Sequence, residues 1–124
     1  MTKDELQART LAFGTAIRHL CLRVRNQPDG RNIATQLLDC ATSVGANYRS
    51  ACRGRSRAEF IAKLGVVVEE SDEAVYWLEL IGKSGLLSEP DVAELLDEAK
   101  QLRAIFATSY GTARSNHKQN QRKR

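Results

Sequence analysis

The feature that most constrains this chain is the spacing of its apolar residues, which recur every three or four positions along four long stretches. This spacing puts them on one face of an α-helix, whereas a half-buried strand needs an apolar residue at every second position. Only two prolines, Pro28 and Pro90, interrupt the 124 residues. The pattern therefore predicts an all-α fold.

Short polar segments separate the four stretches and predict where the helices begin and end. Thr2 with Glu5, and Ser56 with Glu59, have the spacing of a capping box. Pro28 disfavours helical geometry at the residue before it. We predict helices over about 4–26, 32–51, 57–83 and 88–114.

Two glycines carry specific expectations. Gly45 lies in the middle of the second helix, where glycine costs about 1 kcal/mol relative to alanine, so we expect a kink or a close helix crossing there. Gly85 follows the third helix and is a candidate left-handed C-cap. Ser88 then caps the fourth helix, with Pro90 in its first turn.

Four helices joined by short connections pack most economically as an antiparallel up-down-up-down four-helix bundle. The third helix has two apolar seams, which predicts burial from two sides, either inside the bundle or by a neighbouring subunit. We assign residues 1–114 to the bundle. Residues 115–124 contain no apolar side chain and are predicted to form a flexible basic C-terminal tail.

The formal net charge is only +4, but the charged residues are segregated into blocks of opposite sign along the chain. Residues 18–63 hold nine bases and three acids, residues 64–98 hold ten acids and one base, and residues 99–124 hold seven bases and no acid. Such segregation concerns partners and not the fold. The positive blocks predict a polyanionic partner, and the acidic block is expected to face away from it or to be neutralised by a neighbouring subunit.

Several classes of function have no supporting motif. The three cysteines are an odd number without a Cys-x-x-Cys pair, which argues against a disulfide scaffold or a zinc site. A di-metal bundle enzyme would need Glu-x-x-His motifs, and none occurs. We expect no enzymatic activity, no cofactor and no metal. The acidic N-terminus and the lack of a long apolar run indicate a cytoplasmic protein without a membrane span.

Two groups of basic residues are candidate nucleic-acid contacts. The first surrounds the turn before the third helix, where forked arginine bonds and a helix N-terminus both suit phosphate. The second is the C-terminal segment, a candidate flexible arm. A solvated turn, ion pairs to a neighbour's acids and a solubilising terminus are the alternatives. The candidate residues are Arg49, Arg53, Arg55, Arg57 and Lys63, then Arg114, Lys118, Arg122, Lys123 and Arg124.

Two further features have open interpretations. Tyr76 and Trp77 on the third helix are expected to pack in the core or an interface, with an aromatic platform for a partner as the alternative. Asn47 falls beside the apolar seam of the second helix, where a buried asparagine can fix the register.

Three stretches resemble a known family. They are Gln36–Asn47 (QLLDCATSVGAN), Gly54–Ile61 (GRSRAEFI) and Glu69–Leu80 (EESDEAVYWLEL), followed by a turn with Gly85. They are similar to the bacterial four helix bundle protein family, also known as the 23S ribosomal RNA intervening-sequence protein family. The likeness extends to about Arg114. The chain departs from the family at Gly45, where proline is usual, and at residues 48–51, where the family has an acidic residue.

The resemblance implies a small bacterial protein that forms a ring-shaped homopentamer and has no catalytic activity. It also implies two roles: some members are encoded within ribosomal RNA intervening sequences, and others are accessory proteins of diversity-generating retroelements that bind nucleic acid and a reverse transcriptase. We therefore expect RNA or a DNA/RNA hybrid as partner, bound through phosphate contacts. The alternative is a protein-binding structural scaffold with no direct nucleic-acid role.

Overall fold

The computed structural model describes residues 1–123, and these residues form four α-helices and no strand. The helices are α1 (Lys3–Arg25), α2 (Gly30–Cys52), α3 (Arg57–Ser84) and α4 (Glu89–Arg122). The predicted all-α fold is confirmed, and the first three helices end within one or two residues of their predicted bounds.

Local side-chain chemistry starts the helices as predicted. The Thr2 hydroxyl accepts a hydrogen bond from the Glu5 backbone N–H at 3.1 Å, and the Glu5 carboxylate accepts from the Thr2 N–H at 3.1 Å, which completes a capping box. Ser56 accepts from the Glu59 N–H at 3.0 Å, but the Glu59 carboxylate lies 3.4 Å from Lys63 Nζ.

The other helix ends also follow from local sequence. Ser88 caps α4 by accepting from the Asp91 N–H at 3.3 Å. Gly85 ends α3 with a φ of 82°, the left-handed conformation that glycine adopts without a Cβ penalty. Asp29 takes a left-handed φ of 62°, which lets α2 begin at Gly30, two residues earlier than predicted.

Each helix packs mainly on its neighbours in sequence: α1 on α2, α2 on α3 and α3 on α4, while α1 and α4 meet along a thinner seam. Since four-residue connections join the helices, consecutive helices are antiparallel and the molecule is a four-helix bundle. The core contains Ile17, Leu37, Leu78 and Phe106, all fully buried. Because α3 packs on both α2 and α4, its two apolar seams are covered within the bundle.

The close crossing predicted at Gly45 is present between α1 and α2. A Cβ placed on Gly45 would lie 3.2 Å from Thr10 Oγ1 and 3.3 Å from Thr10 Cβ. Thr10 is itself buried, and its hydroxyl donates to the Leu6 carbonyl at 3.0 Å. Two helix backbones can approach this closely only where one of them carries no side chain.

The predicted end of the fourth helix at Arg114 is wrong, because α4 continues to Arg122. Residues 112–122 contain neither proline nor glycine, and extending an existing helix adds one hydrogen bond for each residue fixed. Ala113 is buried and holds the preceding turn against the bundle. The flexibility of residues 115–123 stays a prediction. Arg124 lies outside the described residues.

Candidate nucleic-acid interface

The antiparallel arrangement brings both predicted basic groups to one end of the bundle. The C-terminus of α2, the N-terminus of α3 and the C-terminus of α4 all lie there. Arg53 is the C-cap of α2, Arg55 lies in the following turn and Arg57 is the first residue of α3. All three arginines are exposed.

A polar cavity of about 610 Å³ lies at this end, between the start of α3 and the last turns of α4. Arg57 lies on one side, and the last turns of α4 form the rest of the lining. The side chains from α4 are amides and one imidazole, that of the half-buried His117. They belong to Asn116, His117, Gln119, Asn120 and Gln121. Arg57 is the predicted basic residue that lines this cavity.

Two arginines at this end of the bundle lie against aromatic rings. The Arg57 guanidinium is 5.4 Å from the centroid of the Phe60 ring, and that of Arg114 is 5.4 Å from the Tyr110 ring. At exposed sites such cation–π contacts contribute about 0.5–1 kcal/mol. They restrict each side chain while leaving its N–H groups in the plane of the guanidinium available to an anion.

The continued helix gives the C-terminal bases a fixed order. Arg114, Lys118 and Arg122 are spaced by four residues, so they share one face of α4. All three are exposed, and Lys123 follows as the C-cap. Bases on one helical face concentrate positive charge more than a flexible tail does, because their separations are set by the helix.

Two of the predicted residues lie elsewhere. Arg49 lines a groove of about 300 Å³ between α1 and α2, with Leu11 and Arg18. Lys63 is engaged by its own neighbours, since its Nζ donates to Ser50 Oγ at 2.7 Å and lies 3.4 Å from Glu59 Oε1. Lys63 therefore supports the turn before α3, and it is the weakest phosphate candidate of the set.

Sequence reasoning missed the neutral residues of the cavity and Arg18 at the α1–α2 groove. The tail predicted from the polar composition of residues 115–124 includes the lining residues Asn116 and Gln119. The four-residue spacing of the bases and the lack of a helix breaker are the signals in the sequence that favour a helix there. No pattern in the sequence around Arg18 marked it as a candidate contact.

Side chains of the acidic block, residues 64–98, form hydrogen bonds with side chains of other helices. Asn47 donates to Glu70 at 2.8 Å across α2 and α3, which agrees with its predicted place beside the seam. Burial raises the pKa of Glu70, and the hydrogen bonds from Asn47 and Ser43 oppose that rise. Arg103 donates to Asp72 at 2.9 Å.

Two other kinds of site are absent from residues 1–123. No three His, Cys, Asp or Glu side chains come close enough to hold a metal ion. None of the four helices combines the length and the apolar character that crossing a membrane requires.

Comparison with known proteins identifies the family. Residues 5–108 match the family described as 23S rRNA-intervening sequence protein. No curated protein matches the chain. A solved structure from Bacteroides thetaiotaomicron, described as a protein of unknown function from the S23 ribosomal protein family, is 26% identical and covers 90% of this chain and 99% of its own, with a TM-score of 0.82. The chain belongs to the 23S rRNA-intervening sequence protein family.

Proposed function

We propose that this protein is a non-enzymatic nucleic-acid-binding bundle of the cytoplasm, which contacts phosphates with the basic end formed by α2, α3 and α4. The observation that carries the proposal is that the exposed Arg53, Arg55 and Arg57 lie at the same end of the bundle as the basic last turns of α4. The family resemblance points to RNA or a DNA/RNA hybrid as the polymer. The family's own description names an RNA element and no reaction.

The surface suits a phosphate backbone better than single bases. Arg53, Arg55 and Arg57 present forked N–H donors at the N-terminus of α3, where unpaired backbone N–H groups also favour an anion. The aromatic rings of this end lie beneath arginines and are partly buried, so they offer no stacking platform. Binding of this type releases counterions and depends little on sequence.

Fluorescence anisotropy with a labelled RNA, the matching hybrid duplex and the matching DNA duplex tests the proposal. Affinity should fall steeply as salt is raised, with a log–log slope of about −0.7 to −0.9 for each phosphate neutralised. The double variant Arg55→Glu/Arg57→Glu should bind roughly tenfold or more weakly, because two attractive contacts become repulsive.

The matched control is Arg25→Glu/Arg31→Glu, which changes the net charge equally at the opposite end of the bundle. A similar loss in both variants would show that only overall charge matters. Affinity that does not change with salt, or no binding at low salt, would exclude the proposal and favour the protein-binding scaffold. Pull-down with a reverse transcriptase addresses the retroelement role that the resemblance implies.

Self-association is the second part of the proposal. The groove between α1 and α2 exposes Leu11 (60% accessible) above Gly14 and Gly45, and it has Arg18 and Arg49 on its rim. A separate cavity between α1 and α4 has an acidic rim. Two different complementary faces make a head-to-tail contact, which closes into a ring, and the resemblance implies five copies. The acidic residues are Glu94, Asp97 and Glu98; Glu98 is already paired with Arg9 at 2.6 Å, so the rim's capacity for new ion pairs rests on Glu94 and Asp97.

Light scattering measures the assembly directly. The native chain should give a mass several times that of one chain, and Leu11→Glu should reduce it by placing a charge in the groove. Leu22→Glu, on the same helix at a residue outside the groove, is the control and should leave the mass unchanged. A native sample that is monomeric at all concentrations contradicts this part.

A further inference from the structure

The outer side of α3 carries a third stripe that the bundle does not use. Its residues follow alternating steps of four and three, the spacing of a coiled-coil seam. Most of them are exposed, whereas the two inner seams pack on α2 and α4. The stripe consists of Ala62, Val66, Glu69, Glu73, Tyr76 and Leu80.

Large side chains with apolar surface are exposed to solvent along this stripe. Val66 is 43% accessible and Tyr76 is 57% accessible, so the expected packing of Tyr76 in the core does not occur. Trp77 is half-buried and meets the Tyr76 ring edge-on, with centroids 5.1 Å apart. Tyrosine and tryptophan that are already held in place are typical centres of protein–protein interfaces.

The charge of the stripe indicates which kind of partner would bind it. Glu69 and Glu73 are exposed between Val66 and Tyr76, and no base occurs between residues 64 and 82. Glu73 accepts a hydrogen bond from Trp77 Nε1 at 3.3 Å, which orders the carboxylate beside the aromatic pair. A nucleic acid would be repelled here. A cationic side chain gains both ion pairing and the face of an aromatic ring.

We propose that this stripe binds a helix of a partner protein that carries arginine or lysine opposite Glu69 and Glu73 and apolar residues opposite Val66 and Tyr76. Because the stripe has heptad-like spacing, a helix fits along it, and because it carries two carboxylates, a basic partner is attracted to it. The proposal does not depend on nucleic-acid binding. Together the two surfaces would connect a polyanion at one end of the bundle to a basic protein on its side.

Trp77 is the only tryptophan in the chain, so its fluorescence reports on this surface directly. The probe is a tryptophan-free helical peptide of three heptads with leucine at its end positions and arginine at the two central seam positions. Titrating it into the full chain should change Trp77 emission saturably. The same peptide with glutamate in place of arginine should bind roughly tenfold or more weakly, because attraction becomes like-charge repulsion.

Variants locate the contact. Glu69→Gln/Glu73→Gln should weaken the arginine peptide severalfold, and Tyr76→Ala should do the same while leaving nucleic-acid affinity unchanged. The control Asp29→Asn/Asp39→Asn removes the same charge from exposed acids at and within α2, away from the stripe. Equal binding of both peptides, no emission change with the arginine peptide, or equal losses in the control would overturn the proposal. An emission change on concentrating the protein alone, lost in Tyr76→Ala, would assign the stripe to a second copy and overturn it too.

Discussion

Arg9 on α1 donates two hydrogen bonds to the carboxylate of Glu98 on α4, from Nε at 2.8 Å and from Nη2 at 2.6 Å. Nη2 also donates to Gln101 Oε1 at 2.9 Å. Both partners of the ion pair are largely shielded from solvent, with side chains 23% and 27% accessible. Because α1 and α4 share the thinnest seam of the bundle, this forked pair is the main polar link between the first and last helices.

Replacing Arg9 with alanine should destabilise the fold by about 1–2 kcal/mol, because it leaves the half-buried Glu98 carboxylate without its charged donor. Urea unfolding followed by circular dichroism measures the loss. Adding Glu98→Gln to Arg9→Ala should recover part of it, and Arg31→Ala, at an exposed site, is the control. An unchanged midpoint in Arg9→Ala would show that the seam does not depend on this pair and is held by apolar packing and by the exposed Arg23–Asp91 ion pair, at 2.7 Å.

Gly45→Val should destabilise the bundle by about 1–3 kcal/mol, because its side chain would meet Thr10 at the crossing of α1 and α2. Gly111→Ala is the matched change on α4, where nothing lies within 4 Å of the new Cβ. It should stabilise the protein by up to about 1 kcal/mol through helix propensity. Thermal unfolding of both variants checks the pair, and a stable Gly45→Val would mean that the crossing widens freely.

Glu70→Gln should stabilise the protein more at neutral pH than in acid. Burial, with help from Glu73 and Glu69, raises the pKa of Glu70 above its ordinary 4.5, so the folded state binds the proton more tightly than the unfolded chain. The contribution of Glu70 to stability is therefore most favourable in acid and declines as the pH rises through and above 4.5.

The glutamine keeps an oxygen that can accept from Asn47 and removes the cost of a buried charge. Urea midpoints of the variant and the native chain should therefore differ most near neutral pH and converge in acid. Glu94→Gln makes the same change of side chain at an exposed site and is the matched control. A Glu70→Gln effect of equal size at every pH would assign it to packing.

Only one of the three thiols should react quickly with a thiol reagent. Burial raises the pKa of Cys21 to about 11 and that of Cys40 to about 12, whereas Cys52 is half-exposed at the end of α2. Since the thiolate is the reactive form, native protein at mildly alkaline pH should be modified at Cys52 alone. Mass spectrometry gives the number of modified cysteines. Cys52→Ser should abolish the fast reaction. Rapid modification of two or three cysteines would contradict the burial of Cys21 and Cys40.

The sequence was sufficient to predict the features that depend on near neighbours. Thr2, Ser56, Gly85 and Ser88 act within three or four residues of themselves, and the apolar period marks each helix over many turns. Four helices and their approximate ends follow from these signals. At Gly45 the sequence predicts either a kink or a close helix crossing. It leaves the two open because a small residue permits a close approach but does not identify the helix that approaches.

The tertiary structure decided what depends on how one helix is placed against another. It put Arg57 beside Asn116 and Gln121, turned Arg49 toward α1 and occupied Lys63 with Ser50. The register between α3 and α4 is set by packing along their whole length, and no local pattern reports it. The continuation of α4 past its last apolar residue, in contrast, follows from the local sequence, because no proline or glycine interrupts residues 112–122. The sequence by itself therefore determined which residues are basic and helical, and only the assembled bundle determined which of them share a surface.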